Sequence, residues 1–152
     1  MIVIALASIV TPANASDWRL VELDRTKATA VEVSGIERSN GTAKAWTALM
    51  LPLTVSEMDY ALTRSQFDCE KRTLRHLSVV TYDRSGRLLD RSDEIGPIVV
   101  SDESSSTRLM FQSVCVAEYQ PDVNEGWPTV LSLLEAYRGS PDGSQTVERV
   151  VH

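Results

Sequence analysis

The sequence predicts an α+β domain: an antiparallel β-sheet, a helix clamped to it by a disulfide, and a second C-terminal helix. Apolar residues alternate with period two in the N-terminal two thirds of the chain and recur at helical spacing after residue 104. Two turn signals, Asn40-Gly41 and Asp83-Arg84-Ser85-Gly86, join strand-like segments into hairpins. Strands followed by helices are typical of α+β domains.

The first strands are short and separated by polar segments. Val31 and Val33, two residues apart, place β-branched side chains on one face of a strand. Residues 35–41 are predicted to be a polar connection that ends at the Asn-Gly turn. In residues 42–51, alanine and leucine favour a helix, whereas Trp46 and the preceding turn favour a strand paired with the previous one. We interpret it as a strand, so the first predicted strands are residues 18–23, 29–34 and 42–51.

The middle of the chain contains the longest predicted strand, at residues 70–82. Residues 52–65, before it, are predicted to be irregular, with a short helical turn around residues 57–62. Gly86 supplies the positive-φ position of the turn that follows the long strand, and residues 87–91 return as its partner. Residues 98–100 form a further short apolar segment.

Two helices are predicted after residue 104. In residues 104–119, Met110 and Val114 recur at helical spacing, and Cys115 lies on the apolar side beside Phe111. The second helix, at residues 128–138, has Pro128 in its first turn and a glycine after its last residue. Residues 146–152 are interpreted as a last short strand or a loose tail.

The N-terminus has the pattern of an export signal. A nine-residue run, Ile2 to Val10, is apolar apart from Ser8, and it is followed by a proline break and an Ala-x-Ala ending at Ala15. We therefore expect a signal peptide at residues 1–15, cleavage near Ala15, and one domain at residues 16–152 in the periplasm or outside the cell. A buried N-terminal strand is the alternative. No lipid anchor is expected because no cysteine follows the cleavage site, and the run is too short to be a transmembrane segment.

The two cysteines, Cys69 and Cys115, are predicted to form one disulfide, because exported chains pair their thiols in an oxidising compartment. The alternative is a redox or nucleophilic thiol, but neither residue belongs to a Cys-x-x-Cys motif or lies within five residues of a histidine. The disulfide would close a loop of about 47 residues, worth roughly 4 kcal/mol in the chain-entropy account.

An ordered set of residues resembles the surface-adhesin protein E family. The match covers about residues 18–115, and its elements are Trp18, Trp46, Phe67-Asp68-Cys69, Arg72, Tyr82-Asp83, Gly86 and Cys115. The resemblance implies an antiparallel sheet with a disulfide-held helix in an exported, non-enzymatic protein of the bacterial envelope. Its best-known members are adhesins that bind host matrix proteins and can form a homodimer. This chain departs from the pattern in lacking a lipid-anchor cysteine and in extending past Cys115.

Charge suggests where a partner would bind. The formal net charge of −6 argues against general nucleic-acid binding. Six cations nevertheless concentrate on the predicted long hairpin. One interpretation is a surface that meets a protein or an acidic polymer such as a polysaccharide, or a lipid headgroup. Alternatively, they protect the sheet surface and edge from aggregation. These residues are Lys71, Arg72, Arg75, Arg84, Arg87 and Arg91.

The sequence offers little material for catalysis, so we expect no enzyme, no cofactor and no metal site. His76 is interpreted as a sheet histidine satisfied by its neighbours, and the seven glycines form no phosphate-binding loop. Trp127, in a Gly-Trp-Pro segment, is interpreted as packing the last helix onto the sheet rather than anchoring an interface. The expected function is that of an exported binding protein, and the alternative is a soluble periplasmic inhibitor or accessory protein acting on an envelope enzyme.

Overall fold

The structure, a computed structural model, describes residues 16–23, 27–51, 57–101, 105–119 and 126–139. The predicted signal peptide and the segment at residues 146–152 lie outside these ranges. Eight strands and two helices are described. The strands are β1 (Trp18–Leu23), β2 (Ala28–Glu32), β3 (Glu37–Ser39), β4 (Thr42–Met50), β5 (Tyr60–Asp68), β6 (Thr73–Tyr82), β7 (Leu88–Ser92) and β8 (Val99–Val100). The helices are α1 (Ser105–Cys115) and α2 (Val130–Gly139).

All the described strand pairs are antiparallel, and the strands form one sheet with the order β1-β2-β4-β5-β6-β7. Two short strands lie beside this path, because β3 pairs with the first residues of β4 and β8 pairs with the first residues of β6. The predicted class, an antiparallel sheet accompanied by two helices, is therefore confirmed.

The sheet buries apolar side chains on both faces, but at different places. Alternation along β4 directs Ala43 and Ala45 to one face and Ala48 and Met50 to the other, and all four are buried. Ala43 and Ala45 pack in the cluster that contains helix α1, whereas Ala48 and Met50 pack in the cluster that contains α2. We call these the α1 face and the α2 face.

The α1 face is centred on Phe67, which is fully buried. Its ring meets the ring of Phe111 edge to face, with the centroids 5.1 Å apart. Val31 of β2 and Val114 of α1 complete the contact, and both side chains are also fully buried. The helical spacing of Phe111 and Val114 therefore produces the apolar stripe that the sequence predicted for this helix.

The α2 face is covered by Leu133 and Leu134, which pack on the buried alanines of β2 and β4. Trp127 precedes this helix and forms a β-bridge with Trp18, in which each backbone N–H donates to the other's carbonyl oxygen over 2.9 Å. Its ring is half-buried against the same cluster. The interpretation of Trp127 as a packing residue is confirmed.

Three expectations about secondary structure are wrong. Residues 60–65, expected to be irregular with a helical turn, belong to β5, which extends to residue 68. Residues 37–39 form β3 within the expected connection. Residues 70–72, expected to begin the long strand, lie in a turn before β6. Strand β5 lacks a simple alternation because it buries Tyr60 on the α2 face and Phe67 on the α1 face. The two predicted turns are confirmed, with positive φ angles at Asn40, Gly41 and Gly86.

Candidate binding surfaces

The predicted disulfide between Cys69 and Cys115 is present. Cys69 begins the turn after β5, and Cys115 is the last residue of α1, so the bond fixes the C-terminal end of the helix to the edge of the α1 face. Arg38 of β3 holds the same helix end. Its Nε donates to the carbonyl of Val114 over 2.8 Å and its terminal nitrogen to that of Ser113 over 3.2 Å. These two carbonyls have no partner within the helix, so the guanidinium also acts as a C-cap.

A shallow cleft of about 240 Å³ opens beside the disulfide. It is lined by Arg38, Ser39, Asn40, Gly41, Thr42, Cys69 and Cys115. None of the side chains lining it is a histidine or a carboxylate, so the cleft contains no acid–base pair. Within the described ranges, no group of three or more His, Cys, Asp or Glu side chains is placed to hold a metal ion.

The six cations of the predicted basic hairpin lie at both ends of β6. Lys71 and Arg72 belong to the turn before the strand, whereas Arg84 and Arg87 belong to the turn after it. Ten residues separate the two turns, which corresponds to about 30 Å of extended chain. The cations therefore form two separate groups, and a binding role for them stays a prediction.

Three of these six cations form ion pairs with nearby aspartates. Nε of Arg87 lies 2.8 Å from Asp83, Nε of Arg91 lies 3.0 Å from Asp93, and Nζ of Lys71 lies 3.3 Å from Asp68. All three pairs are at least partly exposed, so each contributes little to stability by itself. Their effect on the surface is to neutralise part of the positive charge that the sequence predicted.

Asp83 is the centre of the β6–β7 turn. Its carboxylate accepts hydrogen bonds from the hydroxyl of Ser85, the backbone N–H groups of Ser85 and Arg87, and the Arg87 guanidinium. The Ser85 hydroxyl and then the Arg87 side chain are the main causes that hold the pKa of Asp83 well below its ordinary value of 3.8. The pKa of Asp93 is also lowered, chiefly by Arg91 and then by the hydroxyl of Ser78.

A different set of polar side chains lies on the α2 face, beyond the residues that α2 covers. The strand register aligns Lys44 with Gln66, and Gln66 with Arg75, in one row across β4, β5 and β6. The neighbouring row contains Arg64, whose guanidinium lies 2.9 Å from the carboxylate of Glu37. Sequence reasoning missed Lys44 and Arg64, because only the pairing of β4 with the unpredicted β5 brings them beside Arg75.

His76 lies on the α1 face of β6 and is exposed. Its Nδ1 is 2.9 Å from the hydroxyl of Ser65, and none of the described carboxylates forms a hydrogen bond or ion pair with the ring. The interpretation of His76 as a histidine satisfied by a neighbour is therefore confirmed, and the ring is not part of a catalytic dyad in the described residues.

The outer edge of the sheet exposes several large apolar side chains. They lie in β7, in β8 and between the two strands, and they are Leu88, Ile95, Ile98, Val99 and Val100. The chain from β7 to β8 runs along β6. The N–H of Gly96 donates to the carbonyl of His76, and the N–H of Ser101 donates to the carbonyl of Arg72. Backbone groups on the far side of an edge strand are free to pair with another chain.

Comparison with known proteins gives one match. A family model described as Surface-adhesin protein E matches residues 18–116, from the start of β1 to the residue after α1. Neither a curated protein nor a solved structure matches the chain significantly. Of the helices that the structure describes, neither has the length and apolar character needed to cross a membrane.

Proposed function

Because the chain belongs to the surface-adhesin protein E family, we propose that it is an exported binding protein of the bacterial envelope that catalyses no reaction. Export is supported by the leader-like sequence of residues 1–15 and by the disulfide, which forms and persists in oxidising compartments. We propose cleavage near Ala15 and residence in the periplasm or outside the cell. Sequencing the N-terminus of the mature protein tests this, and a mature chain that starts at Met1 would contradict it.

The proposed function rests on one observation, a sheet to which the first helix is rigidly attached. The disulfide and Arg38 fix α1 on one face, and the polar part of the other face stays open to solvent at Lys44. A surface that is already rigid loses little conformational entropy on binding, which favours recognition by shape and charge. The described cleft, without histidine or carboxylate, supports a binding role over a catalytic one.

The second candidate function is that of a periplasmic inhibitor or accessory protein. It is favoured by the exposed apolar edge, where Ile95, Ile98 and Val100 are between 61% and 73% exposed. Apolar side chains on an edge strand suit a protein that adds a strand to the sheet. Protease treatment of intact cells separates the two candidates. Degradation of the protein from outside supports the adhesin, whereas protection until the outer membrane is opened supports the periplasmic role.

A capture experiment with the purified mature protein tests whether it binds any partner. Host matrix proteins and envelope extract are offered separately, and captured proteins are identified by mass spectrometry. We expect a saturable partner from one of the two sources. Absence of saturable binding from both would contradict the proposed function.

The predicted basic hairpin is tested with the partner found in this way. Arg72 and Arg84 are exposed and form no ion pair with a described carboxylate, so reversing them does not disturb the pairs of Arg87 and Arg91. We expect Arg72→Glu and Arg84→Glu to weaken binding, and Arg108→Glu on α1, the matched control, to leave it unchanged. Equal affinities for all three variants would show that the hairpin is not part of the binding surface.

A further inference from the structure

We propose that the open end of the α2 face, at Lys44, Gln66 and Arg75, binds an anionic polysaccharide. The inference rests on the proposed function and names a partner class for it. The site differs from the basic hairpin, because two of its three residues lie on β4 and β5. Only Arg75 is common to both.

The geometry of the site follows from the register. Lys44, Gln66 and Arg75 are directly opposite one another on three adjacent strands, so their side chains project from the same face. Neighbouring strands are about 4.8 Å apart, which places the two cationic residues roughly 10 Å apart across the sheet. A row of this kind is straight and nearly flat, and it suits an extended chain better than a compact small molecule.

The row keeps a net positive charge. Both Nε and a terminal nitrogen of Arg75 donate to the Gln66 side-chain oxygen, over 3.2 and 2.9 Å, and this acceptor carries no charge. Glu37 of β3 lies opposite Lys44 at the end of the row, but its carboxylate is paired with Arg64, and no described carboxylate forms an ion pair with Lys44 or Arg75. Together with Arg64, the two cations exceed this one carboxylate, so the surface keeps a local positive charge that attracts an anion on a chain of net charge −6.

Hydrogen-bonding capacity points to a sugar polymer. The contacts of Arg75 orient the Gln66 amide, and the amide nitrogen makes no hydrogen bond with the described residues, so it remains a donor. Carboxylate or sulfate groups would meet Lys44 and Arg75, and ring hydroxyls would meet the amide between them. Guanidinium groups bind such oxyanions with paired, charge-assisted hydrogen bonds.

Two other polymers fit the surface less well. Nucleic acid binding needs many phosphate contacts to overcome the repulsion between polyphosphate and an acidic chain, and this row offers two cations. A protein partner needs an apolar or aromatic anchor at the centre of the contact. The nearest candidate, Trp46 in the next row, is packed against the core that α2 covers.

The test uses the full mature chain and a heparin-derived octasaccharide as the probe, with calorimetry at a salt concentration of about 0.15 M, where the Debye length is about 8 Å. We expect Lys44→Glu/Arg75→Glu to weaken binding at least about tenfold, because the loss of a single charge-assisted hydrogen bond already costs a factor of that size. The matched control, Arg108→Glu/Gln112→Glu/Ala117→Glu, changes the net charge by the same amount at exposed positions in and just after α1, outside both candidate surfaces. We expect it to bind within about twofold of the wild type, since distant exposed charges are largely screened.

Several results would overturn the proposal. Equal losses in Lys44→Glu/Arg75→Glu and in the matched control would show that only the total charge matters. Equal affinity for poly-glutamate or for a DNA duplex would show that the site does not select a sugar polymer. A change in sedimentation of Lys44→Glu/Arg75→Glu would identify the face as a contact between copies of the chain. If the wild type does not bind the octasaccharide but still captures a saturable partner from matrix or envelope, the inference fails and the proposed function stands.

Discussion

Replacing both disulfide cysteines, Cys69→Ala/Cys115→Ala, should lower the free energy of unfolding by about 4 kcal/mol. The cross-link closes a loop across a sequence separation of 46 residues, and the lost chain entropy of the unfolded state scales with the logarithm of that length. Small domains are stable by about 5–15 kcal/mol in total, so the variant should remain folded in water but with a much smaller margin.

Urea unfolding, followed by tryptophan fluorescence, measures the difference. Trp18 and Trp46 both lie in or against the core of the α2 face, so their emission reports the loss of the sheet. With a slope of about 2 kcal/mol/M, the midpoint should fall by about 2 M. Wild-type protein unfolded in the presence of a reductant is the control, and its midpoint should agree with that of the double variant.

A loss below about 1 kcal/mol would refute this reasoning, because it would mean that packing and Arg38 hold the helix without help from the cross-link. The two clamps fix the same helix end, so they should also be coupled. Arg38→Met is therefore expected to cost more in the oxidised protein than in the cysteine-free one, where the end of α1 is free to fray. Equal costs in both backgrounds would show that the clamps act independently.

Three further predictions concern the turns and the core. Asp83→Asn should be less stable than the wild type at neutral pH, and the difference in free energy of unfolding should shrink as the pH falls below 3.8, because a carboxylate with a lowered pKa stabilises the fold above that pH and loses the contribution as it is protonated. Unfolding measured from about pH 6 to 2 tests this, and a difference that does not depend on pH would contradict it. Gly126→Ala should destabilise the β1 edge in thermal unfolding, because the added carbon would lie 1.6 Å from Oδ1 of Asp17. Gly96→Ala is the control and should be nearly neutral, since its added carbon would have contacts of 3.6 Å or more. Phe67→Ala should cost about 3–5 kcal/mol in urea unfolding, and a cost below about 1 kcal/mol would contradict its place at the centre of the α1 face.

The sequence allowed local structure to be predicted wherever the signal is local. The turns at Asn40-Gly41 and Gly86 need positive φ, and the residues themselves reveal this. Strand β5 was not predicted, because a strand that is buried on different faces at its two ends shows neither simple alternation nor a continuous apolar run.

The candidate sites also differ in whether the sequence alone could predict them. The disulfide was predictable because only one pairing of two cysteines exists. The row of Lys44, Gln66 and Arg75 was not, since it depends on the register of three consecutive strands, of which the middle one, β5, was not predicted. Composition showed which charges the chain carries, but the pairing of Arg87 and Arg91 with aspartates depends on turn geometry.

The placement of the two helices has a practical consequence for work on this chain. The stretch that matches the family model ends at residue 116, after α1 and before α2. Yet Leu133 and Leu134 cover Ala30, Ala48 and Met50, which are all essentially inaccessible to solvent. A fragment trimmed at the end of the match would keep its cross-linked side and leave the other side of the sheet as a bare apolar surface, prone to aggregate. The boundary of the shared sequence is therefore not a boundary at which this protein can be cut.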